Sequence, residues 1–192
     1  LAQLEKIEAE RKAFDEEGFY LIGDALKFVD AADPEKGFVF DGRIAEDFKL
    51  KTGTWVSVGP LRARFLAHFA PLARDVVVSG HDRDAVGVLV VPDLDACRAA
   101  AASLPKEAAA AAVVAHPEVT ARLAALLATF NASSGGSSER IRRLMLMETP
   151  PSIDLGEVTD KGSINQRTVL SQRATLVEEL FAIEPSPRVV AV

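Results

Sequence analysis

Between Asp41 and Arg62 the chain reads DGRIAEDFKLKTGTWVSVGPLR, and this change of pattern constrains the fold more than any other stretch. An apolar strand ends at its start, and a polar segment with the acidic pair Glu46-Asp47 follows. A Gly-centred turn then leads into a new strand and helix. Two bodies joined by a hinge fit that order. Before the joint, the β runs FYLIG, LKFVD and FVF are separated by Gly23-Asp24 and by the turn-rich DAADPEKG, which predicts a β meander. Residues 1–17 carry Leu4, Ile7 and Phe14 among many charges, a thin apolar stripe that predicts a surface helix.

After the joint, Phe48 and Leu50 alternate with charged neighbours, and Gly53 supplies a turn from which Trp55–Val58 can return as the second strand of a hairpin. Pro60 suits the first turn of a helix whose inner face is Leu61, Phe65, Leu66 and Phe69, and Pro71 limits its length. DVVVSG and VGVLVVP are near-continuous apolar runs, suited to strands covered on at least one face. Asp93 is expected to cap a helix through Ala102, and residues 117–130 form another with Leu123, Leu126, Leu127 and Phe130 inward. SSGGSS at 133–138 reads as a flexible surface loop, RIRRLMLME as a strand and PPSIDLGEVTDKG as irregular. A last helix over 166–181 buries Val169, Leu170, Leu176, Val177 and Leu180. Strands and helices mix without strict βαβ repetition, so the expected class is α+β, a small mixed sheet flanked by helices.

With 192 residues and 48% hydrophobic content, the chain suits one domain, or one domain plus a fragment of another. A formal charge of -6 opposes an electrostatic grip on nucleic acid. No apolar run approaches the ~20 residues that span a bilayer. The charged N-terminus lacks the apolar core of a secretory signal. Cys97 alone excludes an internal disulfide, and the cytoplasm is the expected compartment. The chain starts at Leu1 rather than Met, which suggests a piece of a longer protein.

Gly37 and Gly42 stand at phosphate-loop spacing, but Arg43 and Ile44 replace the lysine and hydroxyl residue, and FVF between them reads as strand. His68, His81 and His116 lie far apart without clustered cysteines, so no metal site is expected. No GxSxG elbow occurs. Three features remain, each with a plain structural alternative. Asp24, closing GFYLIGD, can accept both hydroxyls of a ribose diol, although Asp is also a standard turn residue. Arg43 in FDGRI can add donors to the same sugar or to a phosphate, or can be a solvated strand end. Lys161 and Gly162 in TDKGSINQR place a cation on a polar loop that otherwise only leads into the last helix.

Together and in that order, these three resemble the C-terminal third of the adenylate-forming superfamily, which includes acyl- and aryl-CoA ligases, nonribosomal peptide adenylation domains and luciferases. GFYLIGD is similar to GxYxTGD, and FDGRIAEDFKLKTGTWVSVGPLR to the hinge pattern GRxDDxIKxxGxxVxxxEIE. TDKGSINQR stands where the family has TxxGKxxR. The resemblance runs from about Phe14 to Phe181. The hinge and TDKGSINQRTVL are most similar in wording to feruloyl-CoA synthetases and related aryl-acid CoA ligases.

The resemblance implies a protein that joins a carboxylic acid to ATP, with Mg held mainly by a large N-terminal domain, and then passes the acyl group from AMP to CoA. Residues 1–41 would end that large domain, and residues 42–192 would be a lid that rotates about a hinge at about 43–47. Asp24 and Arg43 would bind nucleotide. Lys51, Thr52, Gly53 and Trp55 would border the pantetheine tunnel. The family's pivot Asp is replaced by Ala45, with Glu46 and Asp47 just beyond, so any of the three is a candidate pivot. The catalytic lysine position holds Ser163, and Lys161 stands two residues earlier. A lysine there would offset charge on the carboxylate and α-phosphate, a contribution of about 3–4 kcal/mol by analogy with single oxyanion donors. The alternatives are an adenylation domain serving a carrier protein, or a non-catalytic regulatory domain on the same fold.

Overall fold

Val76, Val77 and Val78 are all fully buried, and so are Val88, Leu89 and Val90. Three consecutive buried residues on each strand require cover on both faces of the sheet, because neighbouring side chains point in opposite directions. The computed structural model describes residues 13–192 and divides the chain into two compact units, one ending at Ala45 and the other beginning at Glu46.

In the first unit, β1 (Asp24–Phe28) pairs antiparallel with β2 (Phe38–Arg43), joined through a short 3-10 turn at Pro34–Lys36. Phe28 and Phe38 stack across the ladder at 4.6 Å between centroids. The expected N-terminal helix lies mostly outside the described residues, but its last part, residues 13–17, is a turn. Asp15 Oδ1 accepts the amides of Glu17 at 3.0 Å and Phe19 at 2.8 Å, a local bonding that competes with helix. FYLIG likewise contributes only a bridge, Phe14 to Tyr20, and the first strand begins at Asp24.

The second unit opens with a hairpin, β3 (Phe48–Lys49) against β4 (Trp55–Val56), followed by α1 (Val58–Phe69). Then come β5 (Ala73–Ser79), β6 (Val86–Pro92), α2 (Leu94–Ala99), α3 (Ala110–Val114), α4 (Pro117–Ala132) and β7 (Ile141–Leu146). The chain closes with α5 (Gln166–Gln172), α6 (Ala174–Leu180) and β8 (Val189–Ala191). The sheet order is β5-β6-β7-β8, antiparallel, parallel, antiparallel. This is the expected α+β arrangement of a small mixed sheet between helices.

Alternation along the strands builds two cores. Val76, Val78, Val88 and Val90 face α1, α4 and the hairpin, where Phe65, Phe69, Phe130, Phe48 and Leu50 pack. Val77, Leu89, Val91, Met145 and Met147 face the other way, toward Ile164, Val169 and Leu180. Asp93 caps α2 by accepting the Ala96 amide at 2.9 Å, but the helix stops at Ala99 rather than Ala102.

Two further expectations need correction. The last helix is two helices, broken at Arg173 (φ -108, ψ 34), whose side chain turns to bond a buried carboxylate. The Gly/Ser loop is not simply exposed: Ser134 is buried, and its hydroxyl bonds Arg64 at 2.7 Å and the Phe130 carbonyl at 3.1 Å. Among the described residues no helix is long and apolar enough to cross a membrane.

Candidate functional site

In the first unit, Asp24 and Arg43 are register partners at the first rung of the β1–β2 ladder. Gly23 precedes that rung with φ 76, a conformation that costs glycine little, and its carbonyl accepts the Ile44 amide at 2.9 Å. The two candidate nucleotide ligands, 19 positions apart in sequence, are thus side by side. The chain then turns through a 3-10 segment at Ile44–Glu46.

In the second unit, Asp47 is a structural anchor. Its Oδ1 accepts the Val58 amide at 2.8 Å, satisfying a helix N-terminal donor that Ser57 leaves without a side-chain cap. The hairpin that follows turns at Lys51–Gly53, where the Gly53 amide donates to the Leu50 carbonyl at 2.8 Å and the Leu50 amide to the Thr54 carbonyl at 2.9 Å. Gly53 has φ 81, which the turn requires. Lys51, Thr52 and Gly53 are exposed at the tip, and the Lys49 ammonium lies 5.6 Å from the Trp55 ring centroid. The β5–β6 loop clasps this tip: the Lys51 amide donates to the Arg83 carbonyl at 2.9 Å and the Asp82 amide to the Lys49 carbonyl at 3.2 Å. Beside Trp55 lies an open cavity of about 280 Å³, bordered by Pro60, Leu61, Arg64 and Glu139.

Lys161 stands at the tip of a small ladder-like loop. Val158 and Ile164 bridge at its base, the Thr159 amide donates to the Ser163 carbonyl at 2.9 Å, and the Gly162 amide to the Thr159 carbonyl at 2.8 Å. Ile164 belongs to the core that also holds Val169 and Leu180, whereas Phe48, Leu50 and Val56 of the hairpin belong to the other. The two candidate stations of this unit therefore lie on opposite faces of one sheet.

Sequence reasoning missed the supports. Glu157 is fully buried at the foot of the Lys161 loop, and Arg173 grips it, Nε to Oε1 at 2.7 Å and Nη2 to Oε2 at 2.8 Å. Arg173 holds the Glu157 carboxyl below its ordinary range, against the opposing effect of burial. Gln166, also buried, accepts the Val78 amide on edge strand β5. Neither Glu157 nor Arg173 lies in a motif, and their meeting is visible only once α5 is folded. Among the described residues, no three His, Cys, Asp or Glu side chains converge so as to hold a metal ion.

The family model described as AMP-binding enzyme C-terminal domain matches residues 48–184. Among solved structures, the chain is 25% identical to the A domain of a carboxylic acid reductase from Segniliparus rugosus, in complex with AMP and a co-purified carboxylic acid, with a TM-score of 0.69 over 92% of this chain and 25% of that one. The A-PCP didomain of such a reductase from the same organism, in complex with AMP, is also 25% identical, with a TM-score of 0.67 over 91% of this chain and 22% of that one. The anthranilate CoA ligase AuaEII, 19% identical over 89% of this chain and 27% of that one, shares the fold with a TM-score of 0.56. The chain spans about a quarter of the length of these structures. No curated protein matches it. With the family model covering most of the chain, the protein belongs to the AMP-binding enzyme C-terminal domain family, the C-terminal domain of adenylate-forming enzymes.

Proposed function

We propose that this chain is the lid, preceded by the last β segment of the large domain, of a cytoplasmic ATP-dependent acid–CoA ligase for an aromatic acid such as ferulate. One observation carries the reading: the Lys161 loop and the Lys51–Trp55 hairpin lie on opposite faces of one sheet. A lid that serves two half-reactions by rotation needs two such faces. With one face inward, the Lys161 ammonium meets the charge that gathers on carboxylate and α-phosphate as acyl-AMP forms and pyrophosphate leaves. With the other inward, the hairpin borders the path of the CoA thiol, which attacks the acyl carbonyl and releases AMP.

Asp24 accepts the ribose hydroxyls and Arg43 donates beside it, consistent with their shared rung. The pivot falls at Ala45–Glu46 in this reading, because Asp47 is tied to α1 by its bond to Val58. Lys161 takes the work that a lysine at the Ser163 position does in the wider family. The acyl pocket and the main ATP and Mg contacts belong to the large domain, so the 192 residues alone neither adenylate nor ligate.

A second reading, in which the acyl group goes to a carrier protein, is favoured by the likeness to carboxylic acid reductase A domains, one of them solved as an A-PCP didomain. The test takes the complete protein with ATP, CoA and a panel of hydroxycinnamates, benzoates and fatty acids. AMP release with an aryl-CoA product supports the ligase. Acid-dependent pyrophosphate release without thioester supports the carrier reading, and no acid-dependent release sinks both.

A further inference from the structure

We infer that Glu157 and Arg173 are positioning residues for Lys161, an inference that rests on the reading of Lys161 given above. Glu157 sits where the Lys161 loop leaves the body of the domain. Its carbonyl accepts the Asn165 amide at 2.8 Å, and Asn165 in turn caps α5 by accepting the Thr168 amide at 3.2 Å. Glu157 and Asn165 therefore close the loop, and Lys161 stands at its far end.

The Glu157 side chain fixes which way that base faces. Its Oε2 accepts the Ser152 amide at 2.8 Å as well as Arg173 Nη2, and Oε1 accepts Arg173 Nε, so the carboxylate is held from two sides. Arg173 also donates to the Thr149 and Pro150 carbonyls and to Met147 Sδ, which ties the segment after β7 to the same point. It does so from the break between α5 and α6, leaving the helical path to reach the carboxylate.

A buried ion pair contributes little net stability compared with apolar side chains of similar volume. What a two-pronged guanidinium–carboxylate contact supplies is orientation, since both groups are planar and meet in one geometry. Electrostatic stabilisation of a transition state depends on donors that are already in place, and a displacement of about 1 Å can cost on the order of 10²-fold. The clamp therefore acts on the ammonium through the loop and touches no substrate.

The experiment compares Glu157→Gln, Arg173→Lys and the apolar pair Glu157→Leu with Arg173→Met in the complete protein. Three quantities are read: adenylation by pyrophosphate exchange, transfer from preformed acyl-AMP to CoA, and hydrogen exchange at the Thr159, Gly162 and Ser163 amides. The apolar pair is expected to keep the protein folded while removing the directional contact. Adenylation is expected to fall ~10- to 100-fold in Glu157→Gln and in the apolar pair, with transfer within about twofold. In the apolar pair, exchange in the loop should rise while that of Val88 and Val90 is unchanged. A folded apolar pair with wild-type adenylation overturns the inference, as do equal losses in both half-reactions. If Lys161→Ala leaves adenylation intact while Glu157→Gln still frees the loop amides, the role given to Lys161 fails and the clamp on the loop stands. Unchanged exchange at those three amides overturns the clamp whatever Lys161 does.

Discussion

Asp47 Oδ1 accepts the Val58 amide at 2.8 Å, so the carboxylate beside the proposed pivot closes the N-terminus of α1. A negative charge there also meets the positive end of the helix dipole. Asp47→Ala should therefore lower stability by about 1 kcal/mol, while Asp47→Asn, which keeps an acceptor, should lower it less. Urea unfolding followed by the fluorescence of Trp55, the single tryptophan, measures both. An unchanged midpoint in Asp47→Ala would show that the cap is dispensable.

The aromatic centre of the first core makes a larger claim. Phe65 stacks on Phe69 at 3.9 Å between centroids and meets Phe130 edge-on at 6.0 Å, and all three are buried. Removing a ring from such a cluster loses transfer energy and leaves a cavity. Phe65→Ala should cost ~3–5 kcal/mol and Phe65→Leu clearly less, read as shifts of the same unfolding midpoint. Similar losses for both would mean that the site collapses around either side chain.

The central strands β5 and β6 and the long helices were legible because their signals are local. The valine runs of β5 and β6, the Pro117 start of α4 and the Asp93 cap each declare themselves within a few residues. What was not legible is non-local. Nothing between Gln166 and Phe181 breaks helical periodicity; the break at Arg173 comes with a carboxylate 16 residues earlier. Strand β8 is three residues long, too short for a pattern, and exists because β7 offers it an edge. In the candidate site, the spacing around Asp24 and Arg43 was readable, but their shared rung depends on the register set by a bulge at Ala25–Leu26. The supports of Lys161 carried no signal at all.

Glu157 also makes stability depend on pH. The Arg173 guanidinium is the chief cause that holds the folded Glu157 carboxyl below the ordinary glutamate range. A carboxyl depressed in this way contributes stability that is fully present above its unfolded pKa and lost as pH falls through the folded one. Breaking a buried pair by removing one partner costs ~3–5 kcal/mol near neutral pH. The gap between wild type and Glu157→Gln should then narrow as pH drops below about 4. Denaturant midpoints at pH 7, 5 and 3 give the comparison, and a gap that is constant with pH would remove the ion pair as its source.

The loop that carries Lys161 and the β3–β4 hairpin that carries Trp55 pack their bases on opposite faces of the sheet, and this separation predicts opposite kinetic defects. In the complete protein, Lys161→Ala should slow acyl-AMP formation ~10²- to 10³-fold, the usual loss for one donor to developing negative charge, and leave transfer from preformed acyl-AMP nearly unchanged. Trp55→Ala should do the reverse, raising KM for CoA while pyrophosphate exchange continues at the wild-type rate. Arg in place of Lys161 keeps the charge but alters its shape and reach, so Lys161→Arg should recover only part of the adenylation rate. Single-turnover measurements of each half-reaction separate these outcomes. If either variant slows both steps alike, the two loops do not serve separate states, and rotation of the lid between two faces is the wrong account of this domain.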